Sequence, residues 1–234
     1  MSDFSSAVGN AVSMILTLDA NLVEIVLLSL QVSLSAVLIA SAVALPLGAL
    51  IALQHFPGRR AVVILLNALM GLPPVVVGLM VYLLLSRAGP LGPMGLLFTP
   101  TAMVIAQSII VLPIIAALAR QTIADLHEEY DEYLRSLGCT PMQSVATLLW
   151  DGRFRLLTAV MAGFGRAIAE VGAVIIVGGN IQHSTRVMTT TIALETSKGN
   201  LALALGLGLI LVTLALGVNA AALVVADAAK RRYG

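Results

Sequence analysis

The sequence predicts an all-α fold, a polytopic transmembrane helical bundle of about five spans, and two features carry that prediction. Hydrophobic residues make up 59% of the 234 and charged residues only 11%, less than half of the ~25% usual in soluble domains. The apolar residues also gather into several runs, each long enough to supply the ~20 residues that cross a hydrocarbon core, and mean hydropathy is +1.01. The bilayer is therefore the expected solvent. A net charge of +1, with no block of Lys and Arg outside the last few residues, leaves little to neutralise phosphates, so no nucleic-acid partner is expected. Cys139 is the single cysteine, which excludes an internal disulfide and a cysteine metal site.

Asn21-Leu22-Val23-Glu24 reads as a capping box that opens an apolar run to residue 53. Before it, Phe4, Val8, Val12 and Ile15 recur at helical spacing without a basic n-region, which predicts a short amphipathic segment at the membrane surface rather than a secretory signal. Further runs cover 61–86, 99–123, 154–177 and 201–226. Basic loops stay on the cytoplasmic side. An outside N-terminus puts Arg59, Arg60, Arg120, Arg135, Arg153, Arg155, Lys230, Arg231 and Arg232 inside, against Arg87, Arg186 and Lys198 outside. Five spans, N-out and C-in, satisfy that asymmetry.

Residues 125–152 are more than an anchor needs. Asp125-Leu126-His127-Glu128 reads as a capping box, Leu126, Tyr130, Tyr133, Leu134 and Leu137 form a stripe, and Gly138 stands where a left-handed helix end is wanted. Thr140-Pro141-Met142-Gln143 then starts a second helix, with Thr140 as cap, Pro141 at the first position and an apolar face of Met142, Val145, Ala146 and Leu149. A helix, a sharp turn and a helix projecting into the cytoplasm suit docking to a partner protein. The plainer alternative is a solvated connector.

Glu132, Gly138 and Leu148 fall at the Glu, Gly and Ile positions of the cytoplasmic loop motif of ABC importer membrane subunits, while Tyr133, Leu134, Trp150 and Asp151 depart from it. The stretch Gly165-Arg166-Ala167-Ile168-Ala169-Glu170-Val171-Gly172-Ala173, followed by Gly178-Gly179-Asn180, resembles the molybdate, sulfate and tungstate permeases. The run from Thr185-Arg186 to Glu195 is most similar to the tungstate type, and the resemblance extends from about Glu24 to the end of the fifth run. It implies one transmembrane permease domain over 1–234, a coupling loop at 125–152, and a prokaryotic cytoplasmic (inner) membrane location. The implied partners are a second copy of this chain, two ABC ATPase subunits and an external oxyanion-binding protein. ATP and Mg would be bound by the ATPase subunits, with no cofactor in this chain. The residues agree, because no Gly-x-x-x-x-Gly-Lys-Ser/Thr loop exists and the only lysines are Lys198 and Lys230. Glu132, Leu137, Gly138, Cys139, Thr140 and Pro141 are the residues expected to meet the ATPase.

Arg166 and Glu170 need a reason to lie within a span, since a central charge costs about 2.5 to 3.5 kcal/mol on insertion scales. They stand four apart, on one face of a continuous helix. Either they pair to hold the span in the bundle, or Arg166 lines an anion path while Glu170 prevents tight retention. Gly165, Ala169 and Gly172 form a small-residue stripe beside them, matched by Ala202, Gly206, Thr213, Gly217 and Ala221 in the fifth run. Gly71-Leu72-Pro73-Pro74 and Gly78 interrupt the second run, as a packed kink or as cavity lining. Gly179, Asn180, Thr185 and Arg186, with the hydroxyls to Thr191, either contact a tetrahedral oxyanion or cap helix ends in an outer loop. His55, His127 and His183 are scattered, so neither a metal site nor a catalytic site is expected. A tungstate importer permease is the leading expectation, with molybdate or sulfate as alternative substrates. A secondary anion transporter and an intramembrane enzyme or assembly factor are the readings from other classes.

Overall fold

Asp19 starts the first long helix. In the computed structural model, which describes Ser13, Thr17 and residues 19–233, its carboxylate accepts hydrogen bonds from the backbone N–H of Asn21 at 3.0 Å and Leu22 at 3.2 Å. Those are the donors an N-cap satisfies, and α1 runs Ala20–Leu53. The expected Asn21 to Glu24 box is thus corrected: a full negative charge two residues earlier takes the cap position, where the helix dipole favours it. Glu24 instead faces His183, Oε2 to Nδ1 2.8 Å. At the other end Arg59 donates from Nε to Ile51 O and from Nη2 to Ala52 O, both at 2.8 Å, and so closes the last turn. The expected surface segment through Phe4, Val8, Val12 and Ile15 lies outside the described residues.

The second run is two helices, α2 (Arg59–Leu69) and α3 (Pro74–Leu85), rather than one kinked helix. Pro73 and Pro74 lack the N–H groups that would carry α2 onward, and Pro74 suits a first helical position. Gly78 does not interrupt anything. It lies inside α3, where a Cβ would stand only 2.7 Å from Ala173 Cα.

After a short 3-10 turn at Gly92–Met94, α4 runs Pro100–Ser136 without a stop. Its 37 residues extend ~55 Å at ~1.5 Å per residue, nearly twice the ~30 Å hydrocarbon core. The expected end at 123 and new cap at Asp125 are corrected. No Gly or Pro stands between 114 and 137, and Leu126 and Leu134 are buried, so nothing ends the helix and packing sustains it. The expected stripe divides: Tyr130, Tyr133 and Leu137 are exposed.

Next come α5 (Pro141–Asp151), α6 (Arg153–Ile168), α7 (Gly172–Gly178), α8 (Met188–Ser197) and α9 (Leu201–Tyr233). The fourth run is therefore also broken, at 169–171. Gly165, Ala169 and Gly172 fall in a helix, a turn and the next helix, so they share no single helical face. Among the described residues three helices, α1, α4 and the stretch Leu201–Ala222 of α9, are long and apolar enough to cross a membrane, and the number reaches five where each of the bent pairs α2/α3 and α6/α7 counts as one span.

Contacts gather the chain into two units: described residues up to Ala36 with Pro73–Gln107 and Ala167–Val218, and Val37–Leu72 with Ser108–Arg166 and Asn219 onward. The second unit has a core of Ala49, Ala52, Leu53, Ala119, Ile123, Leu126, Leu134, Val145, Leu148 and Leu156. In the first, Val77, Val81, Met103, Val174, Val177 and Met188 are buried beside Ser29, Gln107, Glu170, Thr189, Thr190 and Glu195, while Leu27, Leu79, Leu83 and Val212 are exposed. Polar groups inside and large aliphatics outside are the arrangement a lipid surround requires.

Two predictions follow from this packing. Gly78→Ala should destabilise the purified protein by ~1–3 kcal/mol, the usual range for overpacking, because its Cβ meets backbone rather than a movable side chain. Gly208→Ala, with nothing within 4 Å, should not, and thermal unfolding compares the two. The second concerns Glu195, which accepts from Lys198 Nζ and Asn200 Nδ2, both at 2.9 Å. The Lys198 hydrogen bond, helped by Asn200 and by the charges of Lys198 and Arg186, holds its carboxyl below the ordinary value against the opposing effect of burial. A depressed folded-state pKa contributes stability at pH above the unfolded value and loses it as pH falls through the folded one. The Tm gap between wild type and Glu195→Gln should be full at neutral pH and shrink in acid.

Candidate functional site

Among the described residues, the turn between α4 and α5 and the segment from the α6/α7 break through the loop after α7 combine irregular backbone with polar side chains. Gly138 has φ 68°, its N–H donates to Arg135 O at 3.0 Å and the Cys139 N–H to Leu134 O at 3.1 Å, the two bonds of a Schellman end. Thr140 then caps α5. Gln143 N–H donates to its Oγ1 at 3.4 Å, and Gln143 Oε1 accepts from the Thr140 N–H at 2.8 Å, with Pro141 at the first position. The turn is thus fixed from both sides with no residue to spare.

The buried face of α5 is Ser144, Val145 and Leu148, which corrects the expected face: Met142 and Ala146 are exposed. Turning that face inward leaves a second apolar surface outward. Tyr133 is 64% exposed, Leu137 61%, Met142 66% and Trp150 69%, and Glu132, Gly138, Thr140 and Pro141 are exposed among them while Cys139 is half-buried. Arg153 lies 4.6 Å from the ring centres of both Trp150 and Phe154 and donates from Nη1 to Trp150 O at 2.6 Å, locking the α5/α6 corner. The members of the expected coupling set stand together here, on one anchored turn and the end of α4 that leads into it.

The second place is the break between α6 and α7. Breaking a helix inside an apolar run frees carbonyls and N–H groups that lipid cannot satisfy. Three side chains do so. Gln107 of α4, 4% exposed, donates from Nε2 to Ala167 O at 3.1 Å. Glu170, 3% exposed, accepts from the Ala173 N–H at 3.0 Å, and Thr189 of α8 donates to Glu170 O at 2.8 Å. Glu170 thus sits in the break as a local cap, while Arg166 lies in the last turns of α6, so their four-residue spacing spans a helix end. Gly172 opens α7 so close to α3 that a Cβ would lie 2.8 Å from Val75 Cγ2.

The loop after α7 is held the same way. Gly179 ends the helix with φ 72° and Asn180 follows at 50°. Thr185, fully buried, donates to Gly178 O and accepts from the Ile181 N–H at 3.0 Å. Thr190 Oγ1 is 2.9 Å from Asn180 Oδ1, Thr191 donates to Val187 O at 2.7 Å, and Ser29 of α1 accepts from the Met188 N–H at 2.8 Å. The hydroxyls of Thr185, Thr190 and Thr191 are engaged within the loop and the first turn of α8. Arg186 is different: its Nε is buried and has no hydrogen-bond partner among the described residues. Sequence reading overlooked Gln107, Ser29 and Asp19. Gln107 had a signal, a single amide in an otherwise apolar stretch; Ser29 had none. Among the described residues no group of three or more His, Cys, Asp or Glu is placed to hold a metal ion.

Residues 44–233, which contain both places, match the family described as binding-protein-dependent transport system inner membrane components. A probable anion ABC transporter permease protein of Haloferax volcanii is 39% identical over 218 residues, covering 91% of this chain and 94% of that protein. The tungstate uptake system permease protein TupB of Peptoclostridium acidaminophilum is 40% identical over 190 residues, 81% of this chain and 83% of its own. The TupB of Campylobacter jejuni is 40% identical over 148 residues, 63% and 62% of the two chains. With several helices fit to cross a bilayer, and with relatives that are permease subunits over nearly their whole length, this chain belongs to the binding-protein-dependent inner-membrane permeases of ABC transporters and is a transport component rather than an enzyme.

Proposed function

We propose that this chain is the membrane-spanning permease subunit of an ATP-driven oxyanion importer, with tungstate as its first substrate, ahead of molybdate and sulfate. The substrate class is supported by the likeness to an anion permease and two tungstate permeases. Two copies form the path, with N-termini outside and C-termini inside, and two ATPase subunits dock at the turn around Gly138. An external binding protein delivers the anion. The observation that carries the coupling reading is the pairing of rigidity and exposure in one segment. The turn is fixed by a Schellman end and a capping box, yet it turns Tyr133, Leu137 and Met142 outward. A fixed apolar knob transmits movement to the helices on either side, and an apolar patch of this kind needs a partner.

In this reading Arg166, Glu170, Gly172, Gly179, Asn180, Thr185 and Arg186 border or support the path. The broken α6/α7 segment is the part that changes conformation. Its backbone is held by side chains from α4 and α8, so those bonds differ between an open and a closed state.

The test is reconstitution with candidate ATPase and binding-protein subunits in liposomes, following ATP hydrolysis as binding protein loaded with tungstate, molybdate or sulfate is added. Hydrolysis should rise with loaded binding protein. Leu137→Asp should lower ATPase association at least tenfold without changing permease Tm, since Leu137 is exposed. Absence of any ATPase association would overturn the coupling role of the turn. Gln107→Leu removes the amide that holds Ala167 O and should lower stimulated hydrolysis severalfold while the assembled complex still forms; unchanged hydrolysis would deny the break a part in transport.

A further inference from the structure

The first turns of α1, the loop after α7, Thr191 of α8 and Leu203 of α9 line a cleft of about 140 Å³ that is open to the surface, with Asn21, Glu24, Gln182, His183 and Ser184 exposed and Arg186 half-buried. Its polar lining comes from Asn21, Glu24, Gln182, His183, Ser184, Arg186 and Thr191, whose hydroxyl is already given to Val187 O. That volume accommodates several waters or one small oxyanion.

The charges within it are unevenly matched. Arg186 Nε is shielded from solvent and has no hydrogen-bond partner among the described residues, a costly state for a group that is always charged. Glu195, whose carboxylate feels the Arg186 charge, is bonded to Lys198 and Asn200 instead. Glu24, the one carboxylate in the lining, is held by His183 at 2.8 Å. Arg186 therefore faces the cleft as its principal positive group, with the side-chain amides of Asn21 and Gln182 and the Ser184 hydroxyl as further donors. A planar guanidinium joined by neutral donors is the chemistry that recognises a tetrahedral oxyanion.

We infer that this cleft is a low-affinity binding site for a small tetrahedral oxyanion, in which Arg186 supplies the charge and Glu24, tethered by His183, opposes it. The site rests on the importer reading: it receives the anion after release from the binding protein and before entry to the path. Glu24 keeps the residence short, because a site that holds its ion tightly cannot pass it on.

The test uses the full permease chain, purified without ATPase or binding protein and dialysed to equilibrium against tungstate in physiological chloride, with bound tungsten counted by mass spectrometry. Saturable binding of one tungstate per chain is expected, displaced by molybdate and sulfate. Arg186→Gln should weaken it at least tenfold and Arg186→Lys less, while Glu24→Gln should tighten it severalfold. No saturable binding, or binding unchanged in Arg186→Gln, overturns the inference. If Arg186→Gln does not fold, Glu24→Gln decides alone, and equal or weaker binding in that variant is fatal to the idea. The importer reading is judged separately by hydrolysis in the complete complex, so stimulated hydrolysis with no anion on the isolated permease removes this site and leaves that reading standing.

Discussion

Backbone polar groups cannot be left unbonded inside an apolar chain, and the stretch 167–173 concentrates that demand. Two helices end within it, yet Glu170 at its centre is among the most deeply buried residues. The carbonyls of Ala167 and Glu170 and the N–H of Ala173 find Gln107, Thr189 and the Glu170 side chain. Because α4 and α8 supply two of those three groups, their placement is tied to the break. Close packing of α3 on α7 at Gly78 and Ala173 excludes alternative seats for the short helix. The Ala167 carbonyl also accepts from the Glu170 N–H at 3.1 Å, and since an unsatisfied group costs several kcal/mol in lipid, these partners together sustain the break.

The turn at Gly138 answers the same demand locally. Its orphan carbonyls are taken by the N–H groups of Gly138 and Cys139, and the first N–H groups of α5 by Thr140. No distant side chain is needed. One side of the segment is therefore free to pack on α1 and the α4 core, and the other is free to face away. A self-sufficient turn suits a surface that binds another protein, whereas a turn stitched together by distant helices suits a segment that must respond to them.

That difference explains what the sequence disclosed. Gly138, Thr140, Pro141 and Gln143 form a signal of a few consecutive residues, and the structure has the corresponding helix end and cap. The apolar runs were equally legible, since the clustering of hydrophobic residues along the chain locates them. Helix boundaries were less so: Asn21 and Asp125 both fit a cap pattern, but Asp19 competed better for one helix start, and buried Leu126 and Leu134 carried α4 through the other. The broken fourth run was not legible. Residues 167–171 contain no proline, and the groups that stabilise their break lie 60 residues away at Gln107 and 19 away at Thr189. Nor could the hydroxyls of Thr185 to Thr191 be sorted from sequence, because only the folded loop decides which carbonyls lie within their reach.

With those threonines engaged inside the loop, the pattern of remaining polar groups becomes economical. Hydroxyls and amides build the irregular backbone, and the lysine near the loop is bound to Glu195. The charge at Arg186 is left facing a cleft whose one carboxylate is itself tethered. A path for a doubly charged anion must lower its desolvation cost without creating a trap. Few fixed charges, separated and partly opposed, achieve that better than a cluster of arginines would. In the proposed importer role, the low charge content that first identified the bilayer as solvent is also what keeps an anion from being trapped on its way through.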